Sequence, residues 1–366
     1  MRIILSILVL IIFISCQHEE LEEKSLIQYK ISIDTLSIDS QEHLINVGQG
    51  IPKARLSENE RYLFFYDYTN HSIETIDLEE RSWVRTLYLE REGPKGVMDR
   101  SRFDFISLTD STFRFFTQRN FIELDMRNEL LFESPRFNSM VRVAPEKNFE
   151  AWAKLSRDQR YLYGLTSSFK QDQMLGWVDL KDSVYREVRL DSMDYRKDFE
   201  IKNSRLIISS PINAAFIQEK FMVFHPDGID VFIIDPKTST AQFKDNSPHL
   251  FPRRKSGNFS KTAELGEFDA VFEKKDLEIS YRDLVFDQVN QLFYRFAGMK
   301  APETGRQLKY FMIFDKEMNL IHEMDVSEMR IGFGEYFVRK GKLYVRNRET
   351  EELEFFVISV EEEGDA

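Results

Sequence analysis

Three adjacent cations, Arg253-Arg254-Lys255, sit in the stretch from Ser247 to Asn258, which holds two prolines and no strand-like alternation. Two more arginines follow in polar-aromatic clusters, Tyr281-Arg282-Asp283 and Tyr294-Arg295. Such a set suits an anion, because a guanidinium offers a planar fork of donors to a carboxylate and, between aromatic rings, can stack on a sugar. Arg253, Arg254, Lys255, Arg282 and Arg295 are therefore the candidate binding residues, with the Arg253 loop expected over one mouth of a central channel. The same residues admit a plainer reading: a solvated insertion, and arginines that lay their stems on apolar surface as salt-bridge partners between repeats.

Chemistry carried by linear motifs is not visible. There is no Gly-x-Ser-x-Gly elbow, Gly-rich phosphate loop, His-Glu-x-x-His or EF-hand spacing. The six histidines (His18, His43, His71, His225, His249 and His322) show no paired ligand spacing, and Cys16 is the single cysteine. An intrachain disulfide, a cysteine nucleophile within the body and a Cys-type zinc site are thereby excluded. A site built from one or two residues per repeat escapes such a scan. A hydrolase or lyase for an extracellular sugar or lactone, with a divalent cation among channel carboxylates, therefore stays open as the alternative. No catalytic residue and no cofactor are assigned. The net charge of −12 opposes nucleic acid as a partner.

The elements that must position these residues announce themselves by a recurring beat. Ser72 to Asp77, Phe121 to Asp125, Leu175 to Asp179, Val231 to Asp235 and Phe311 to Asp315 are short apolar runs that end in aspartate, and Phe355 to Ser359 repeats the pattern with serine. Runs rich in Ile, Val, Phe and Thr closed by a turn former read as strands, with Asp accepting hydrogen bonds from backbone N–H groups two residues on. Two units align further: Leu56-Ser57-Glu58-Asn59-Glu60-Arg61-Tyr62-Leu63 matches Leu155-Ser156-Arg157-Asp158-Gln159-Arg160-Tyr161-Leu162. A period of roughly 40 to 50 residues with several strands per repeat points to a propeller. The expected fold is all-β, a six-bladed β-propeller of four-stranded antiparallel blades. Blade two is expected at 103–137, blade three at 155–190 and blade four at 206–243, with a loop-like insertion over 244–282. Ile27, Tyr29, Ile31 and Ile33 alternate with polar residues, so this N-terminal strand is expected to complete the last blade and close the ring.

The chain begins with Met1-Arg2 and a 12-residue apolar run, Ile3 to Ile14, too short to span a bilayer comfortably. Phe13-Ile14-Ser15-Cys16 resembles a bacterial lipobox, with Phe13 where leucine is commonest. The resemblance implies lipidation of Cys16 and a membrane hold of about 0.8 kcal/mol per buried methylene. The acidic stretch Gln17 to Lys24 resembles the surface-export tags of Bacteroidetes lipoproteins, and equally suits a solvated linker. The expected division is a signal peptide over 1–15, a lipidated cysteine and tether over 16–26, one propeller domain over 27–360 and an acidic tail over 361–366.

Four features together resemble a family of uncharacterised bacterial propeller lipoproteins, TolB-like in fold and chiefly from Bacteroidetes. They are the lipobox, the strand Ser32-Ile33-Asp34-Thr35, the turn Glu92-Gly93-Pro94-Lys95-Gly96, and Phe286-Asp287 followed by Phe293-Tyr294-Arg295-Phe296. The resemblance implies a fold and a cell-envelope location, at the outer membrane, and supplies no activity. The functional expectation is a membrane-anchored, monomeric binding or scaffold module for a glycan, a peptide or an envelope protein.

Overall fold

The computed structural model describes residues 28–97, 103–117, 121–133, 153–167, 173–203, 207–264, 266–301, 303–329, 331–332 and 334–363. Six four-stranded antiparallel sheets stand in a ring. Blade one is Arg55–Leu56, Tyr62–Asp67, Ser72–Asp77 and Ser82–Tyr88, and blade two is Phe103–Thr109, Thr112–Thr117, Phe121–Asp125 and Leu130–Glu133. Blade three is Lys154–Leu155, Tyr161–Ser167, Gln173–Asp179 and Val184–Arg189, and blade four is Asn213–Ile217, Lys220–Phe224, Val231–Ile234 and Ala241–Lys244. Blade five is Ser280–Asp287, Leu292–Lys300, Gln307–Phe314 and Leu320–Asp325. Blade six takes Tyr336–Arg339, Lys342–Arg346 and Glu354–Glu362 from the end of the chain and its outermost strand, β1 (Tyr29–Ser37), from the beginning.

That splice closes the wheel as the sequence implies. β1 runs antiparallel to Glu354–Glu362 from Tyr29↔Glu362 to Ser37↔Glu354. Tyr29 and Ile31 enter the apolar cluster between blades five and six, while Leu36 enters the cluster between blades six and one. One strand thus feeds both flanking interfaces, and each of the other blade junctions has its own cluster. Burial of sheet faces against neighbours replaces a single large core.

The aspartate beat is turn chemistry at all five positions. The Oδ1 atoms of Asp77, Asp125, Asp179, Asp235 and Asp315 accept the backbone N–H groups of Glu79, Arg127, Lys181, Lys237 and Glu317 at 2.8 to 3.0 Å. Ser359 differs because no turn follows it. It lies mid-strand, paired with Ser32 on one side and Lys342 on the other. The matched units agree in side-chain detail as well. Ser57 and Ser156 each accept the N–H of the tyrosine five residues on, and Arg61 and Arg160 pair with Asp77 and Asp179 at 2.6 and 2.9 Å.

Antiparallel alternation puts the first and third turns of every blade on one face of the ring and the remaining loops and interblade connections on the other. The first is the aspartate-turn face, and the second is here the loop face. The loop face is elaborated around blades three to five. Blade four starts at Asn213 rather than near 206, because Ile207–Ile208 pairs with Ile201–Lys202 in a separate small hairpin and Pro211, which lacks an N–H, separates it from the blade. A 3-10 segment, Asp191–Phe199, precedes that hairpin. The insertion before blade five is not all loop, since it contains an α-helix, α1, at Phe268–Leu277. These pieces share a satellite core of Phe199, Ile201, Phe259, Ala263 and Val271. Of the last strand expected in blade two, Leu130–Glu133 is seen, and residues 134–150 lie outside the described residues. So do Cys16, the tether, Ile27 and residues 364–366.

Candidate functional site

The innermost strands face one another around the axis, and their side chains link blade to blade. Arg55 of blade one donates from Nη2 to both carboxylate oxygens of Asp104 in blade two at 3.2 Å. Lys154 of blade three donates Nζ to the Ala214 carbonyl of blade four at 2.9 Å. Asn213 of blade four donates to Asp283 of blade five at 3.0 Å, and the Tyr336 hydroxyl of blade six donates to the Asp283 carbonyl. A β-bulge between Tyr281 and Leu284 interrupts the innermost strand of blade five at Arg282 and Asp283, both of which stay exposed. The Tyr281-Arg282-Asp283 cluster is thereby joined to the channel wall, a position its flanking sequence does not announce.

Basic side chains gather on or beside the inner strands around Asp104 although the chain is acidic. Burial pushes the Asp104 carboxyl up, but Arg55, Lys53 and Lys154 outweigh burial and hold it below the usual carboxylate range. Burial pushes the Lys154 amine down and Arg55 depresses it further, while Asp104 and then Asp283 draw it back up. Lys53 is lowered in the same way, by burial first. Three cations thus act on Asp104, and one of them, Lys154, is also within the influence of Asp283. The Arg55 and Asp104 side chains retain 39% and 17% of their surface, so the pair is accessible from the lumen. Chemically this is an anion-recognition surface. Among the described residues, no group of three His, Cys, Asp or Glu side chains is arranged to hold a metal ion.

Of the five cations singled out in the sequence, four gather on the loop face around the His225–Asp230 loop of blade four. Arg253 donates to Asp230 Oδ1 from Nε and Nη2 at 3.0 and 2.8 Å and also pairs with Asp245. Arg254 donates Nε to Asp230 Oδ2 at 2.7 Å, with its guanidinium 3.8 Å above the Tyr195 ring. Lys255 is buried, 3.9 Å from Asp227, and donates to the Lys275 carbonyl of α1. Arg295 is wholly buried between the rings of Phe224 and Tyr281 and donates to the carbonyls of Arg282, Gly228, Ile229 and His225 at 2.7 to 3.2 Å. Its guanidinium does lie between aromatic rings, and backbone oxygens fill its fork. Arg282 alone belongs to the channel wall.

Lys53, Arg55, Asp104, Lys154 and Asn213 were not singled out by the sequence reading. A signal existed one residue upstream of the matched repeat: Arg55 and Lys154 directly precede the aligned Leu56 and Leu155. Two basic residues at the equivalent inner-strand position of two blades mark the lumen.

A crystal structure of a DUF4221-family member from Bacteroides vulgatus superposes with a TM-score of 0.65 at 13% identity, covering 92% of this chain and 99% of that one. A Bacteroides fragilis protein described as exported gives 0.47 at 11% identity, covering 91% and 96%, and a luciferin-regenerating enzyme gives 0.43 at 10% identity, covering 90% and 95%. Only the first is similar enough to bear on the fold, and at that identity it bears on nothing more. No curated protein matches the sequence. The profile of a domain of unknown function, DUF4221, matches residues 26–325, and the chain belongs to that family.

Proposed function

We propose that this protein is a lipid-anchored extracytoplasmic binding module that takes an anionic ligand into the axial channel. The observation that carries the reading is the Arg55–Asp104 pair, partly open to the lumen and flanked by Lys53 and Lys154, inside a chain of net charge −12. A general field of that sign repels anions, so a local concentration of cations in a concave, partly desolvated wall has recognition as its natural use. Arg282 and Asn213 extend the donor surface, while the Arg253 loop and Arg295 brace the adjoining loop face. The leader and the lipobox-like Cys16 support anchoring at the outer membrane. β1 enters blade six from the aspartate-turn face, and a membrane hold at Cys16 would leave the elaborated loop face on the far side.

The test is titration of purified protein with citrate, galacturonate and galactose, followed by calorimetry. The acids are expected to bind and galactose not to, and Lys154→Met or Arg55→Met to weaken the acids by about tenfold or more. Equal binding of acid and neutral sugar, or affinities unchanged in both variants, would sink the reading. Acyl labelling of wild type against Cys16→Ala tests the anchor, and protease shaving of intact cells tests which side the body faces. The hydrolase or lyase alternative requires turnover of a lactone or glycoside that a divalent cation restores after chelation.

A further inference from the structure

A second concave site lies on the loop face where the ring closes. The connection from β1 to blade one, Leu44 to Gly50, forms one wall, and Arg346, Arg348, Thr350 and Glu351 of blade six form the other, around a cleft of about 560 Å³. That size suits a ligand of one or two sugar or amino-acid units.

Arg346 is 4% exposed and lines this cleft. Its Nη2 donates to the Val47 carbonyl at 2.6 Å, its Nη1 stands 4.0 Å from Glu335 Oε2, and its Nε has no acceptor in the protein. Arg348, half-exposed beside it, donates Nη2 to Glu335 Oε1 at 2.6 Å. Two guanidiniums therefore share the Glu335 carboxylate behind the lining, the more deeply buried of the two is only partly neutralised, and Glu351 is the acidic residue of the lining itself. A buried cation with an open donor is costly unless an anion completes it. The glycines fit the same use. Gly50 is held at φ +85° against Glu335, where a Cβ would collide with the carboxylate. Gly48 leaves open space above the wall, its Cβ position meeting only Asn46 Oδ1 at 3.7 Å.

We propose that this cleft is a carboxylate-binding site, in which the ligand's carboxylate accepts from Arg346 and Arg348 while its body lies over Gly48. The carboxylate can belong to a sugar acid or to a peptide C-terminus, which share this chemistry. The site is separate from the channel and stands independently of the channel reading.

The experiment is ligand-observed NMR on the full protein with four probes: galacturonate, galactose, N-acetylalanine and N-acetylalanine amide. Each is run on wild type, on the channel variant Lys154→Met, and on Arg348→Gln and Gly48→Phe built on Lys154→Met, in which the channel component is already weakened. Gly48→Phe fills the cleft at a position with room for a side chain, and its thermal melt verifies folding. At least one acid is expected to bind while its neutral counterpart does not, and the acid that binds identifies the source. Arg348→Gln should weaken it by about tenfold, Gly48→Phe should abolish it, and Lys154→Met should leave this component unchanged. Binding of neither acid, equal binding of acid and neutral probe, retention in folded Gly48→Phe, or loss in Lys154→Met alone would each overturn the proposal.

Discussion

On the loop face at blade four, Arg253 and Arg254 close on Asp230, a carboxylate with no exposed surface; in the lumen, Lys53, Arg55 and Lys154 share Asp104, which keeps 17% of its side chain accessible. Both regions concentrate basic residues, yet the carboxylate at the centre of the first is wholly buried and the one at the centre of the second stays partly open to the lumen. The difference lies in the carboxylates that the fold brings to the cations. A run of positive residues in a sequence therefore identifies a place where charge is handled, and the exposure of the carboxylate it meets sets how open that place is to a ligand.

The largest effect is expected where the closed region is opened. Asp230→Ala leaves two arginines facing each other without their shared carboxylate and should cost about 3–5 kcal/mol in denaturant unfolding. A loss below about 1 kcal/mol would mean that the two regions are alike after all.

Acid should discriminate next. His225 is 1% exposed, beside Asp227, and burial pushes it down from 6.5 to about 4, although Asp227 and the Ser210 carbonyl favour its proton. The unfolded chain then takes up this proton first as pH falls. The stabilisation is full above about 6.5 and is lost progressively toward 4, on the order of 3 kcal/mol in all. His225→Asn should flatten that limb of the pH–stability curve, and an unaltered limb would remove His225 as its source. The lumen is expected to act at the other end of the scale. With the Lys53 and Lys154 amines pushed down by burial, the unfolded chain holds their protons to higher pH, so stability climbs as pH rises through the depressed values toward about 10.4.

The smallest change in stability belongs to the lumen. Lys154→Met removes a desolvated cation while Arg55 still serves Asp104, so unfolding free energy should stay within about 1 kcal/mol of wild type or rise. Anion affinity should fall in the same variant. Loss of several kcal/mol of stability would recast Lys154 as a brace like Arg295.

The strand rhythm, the turn aspartates and the closing strand were legible because each is written locally, in period-two alternation or in a turn residue with a fixed partner. The contrast between the two cation regions was not. Asp230 lies outside the run that contains Arg253 and Arg254, and the loops meet only in the fold, where Ile229 N–H donates to the Arg253 carbonyl and Lys255 N–H to the Asp227 carbonyl beside the bridge Gly228↔Arg254. Lys53, Arg55, Asp104 and Lys154 come from three blades, and two of the strands that carry them are two residues long, too short for any periodicity to register. The helix α1 was missed for a related reason. Its N-cap, Glu267, makes no side-chain capping bond, and its buried positions, Val271 and Lys275, include a lysine that owes its place to the Phe199 carbonyl it reaches.

β1 has one more consequence. It is both the clasp of the wheel and the segment leading back toward Cys16, so under the proposed anchoring any traction on the body would pass through it. Its first residue, Tyr29, lies opposite Glu362 at the aspartate-turn edge, and a pull from that side runs along the strand. Antiparallel hydrogen bonds lie across that direction, so the load is shared in shear by all nine register pairs, and the clasp has to slip as a unit to yield.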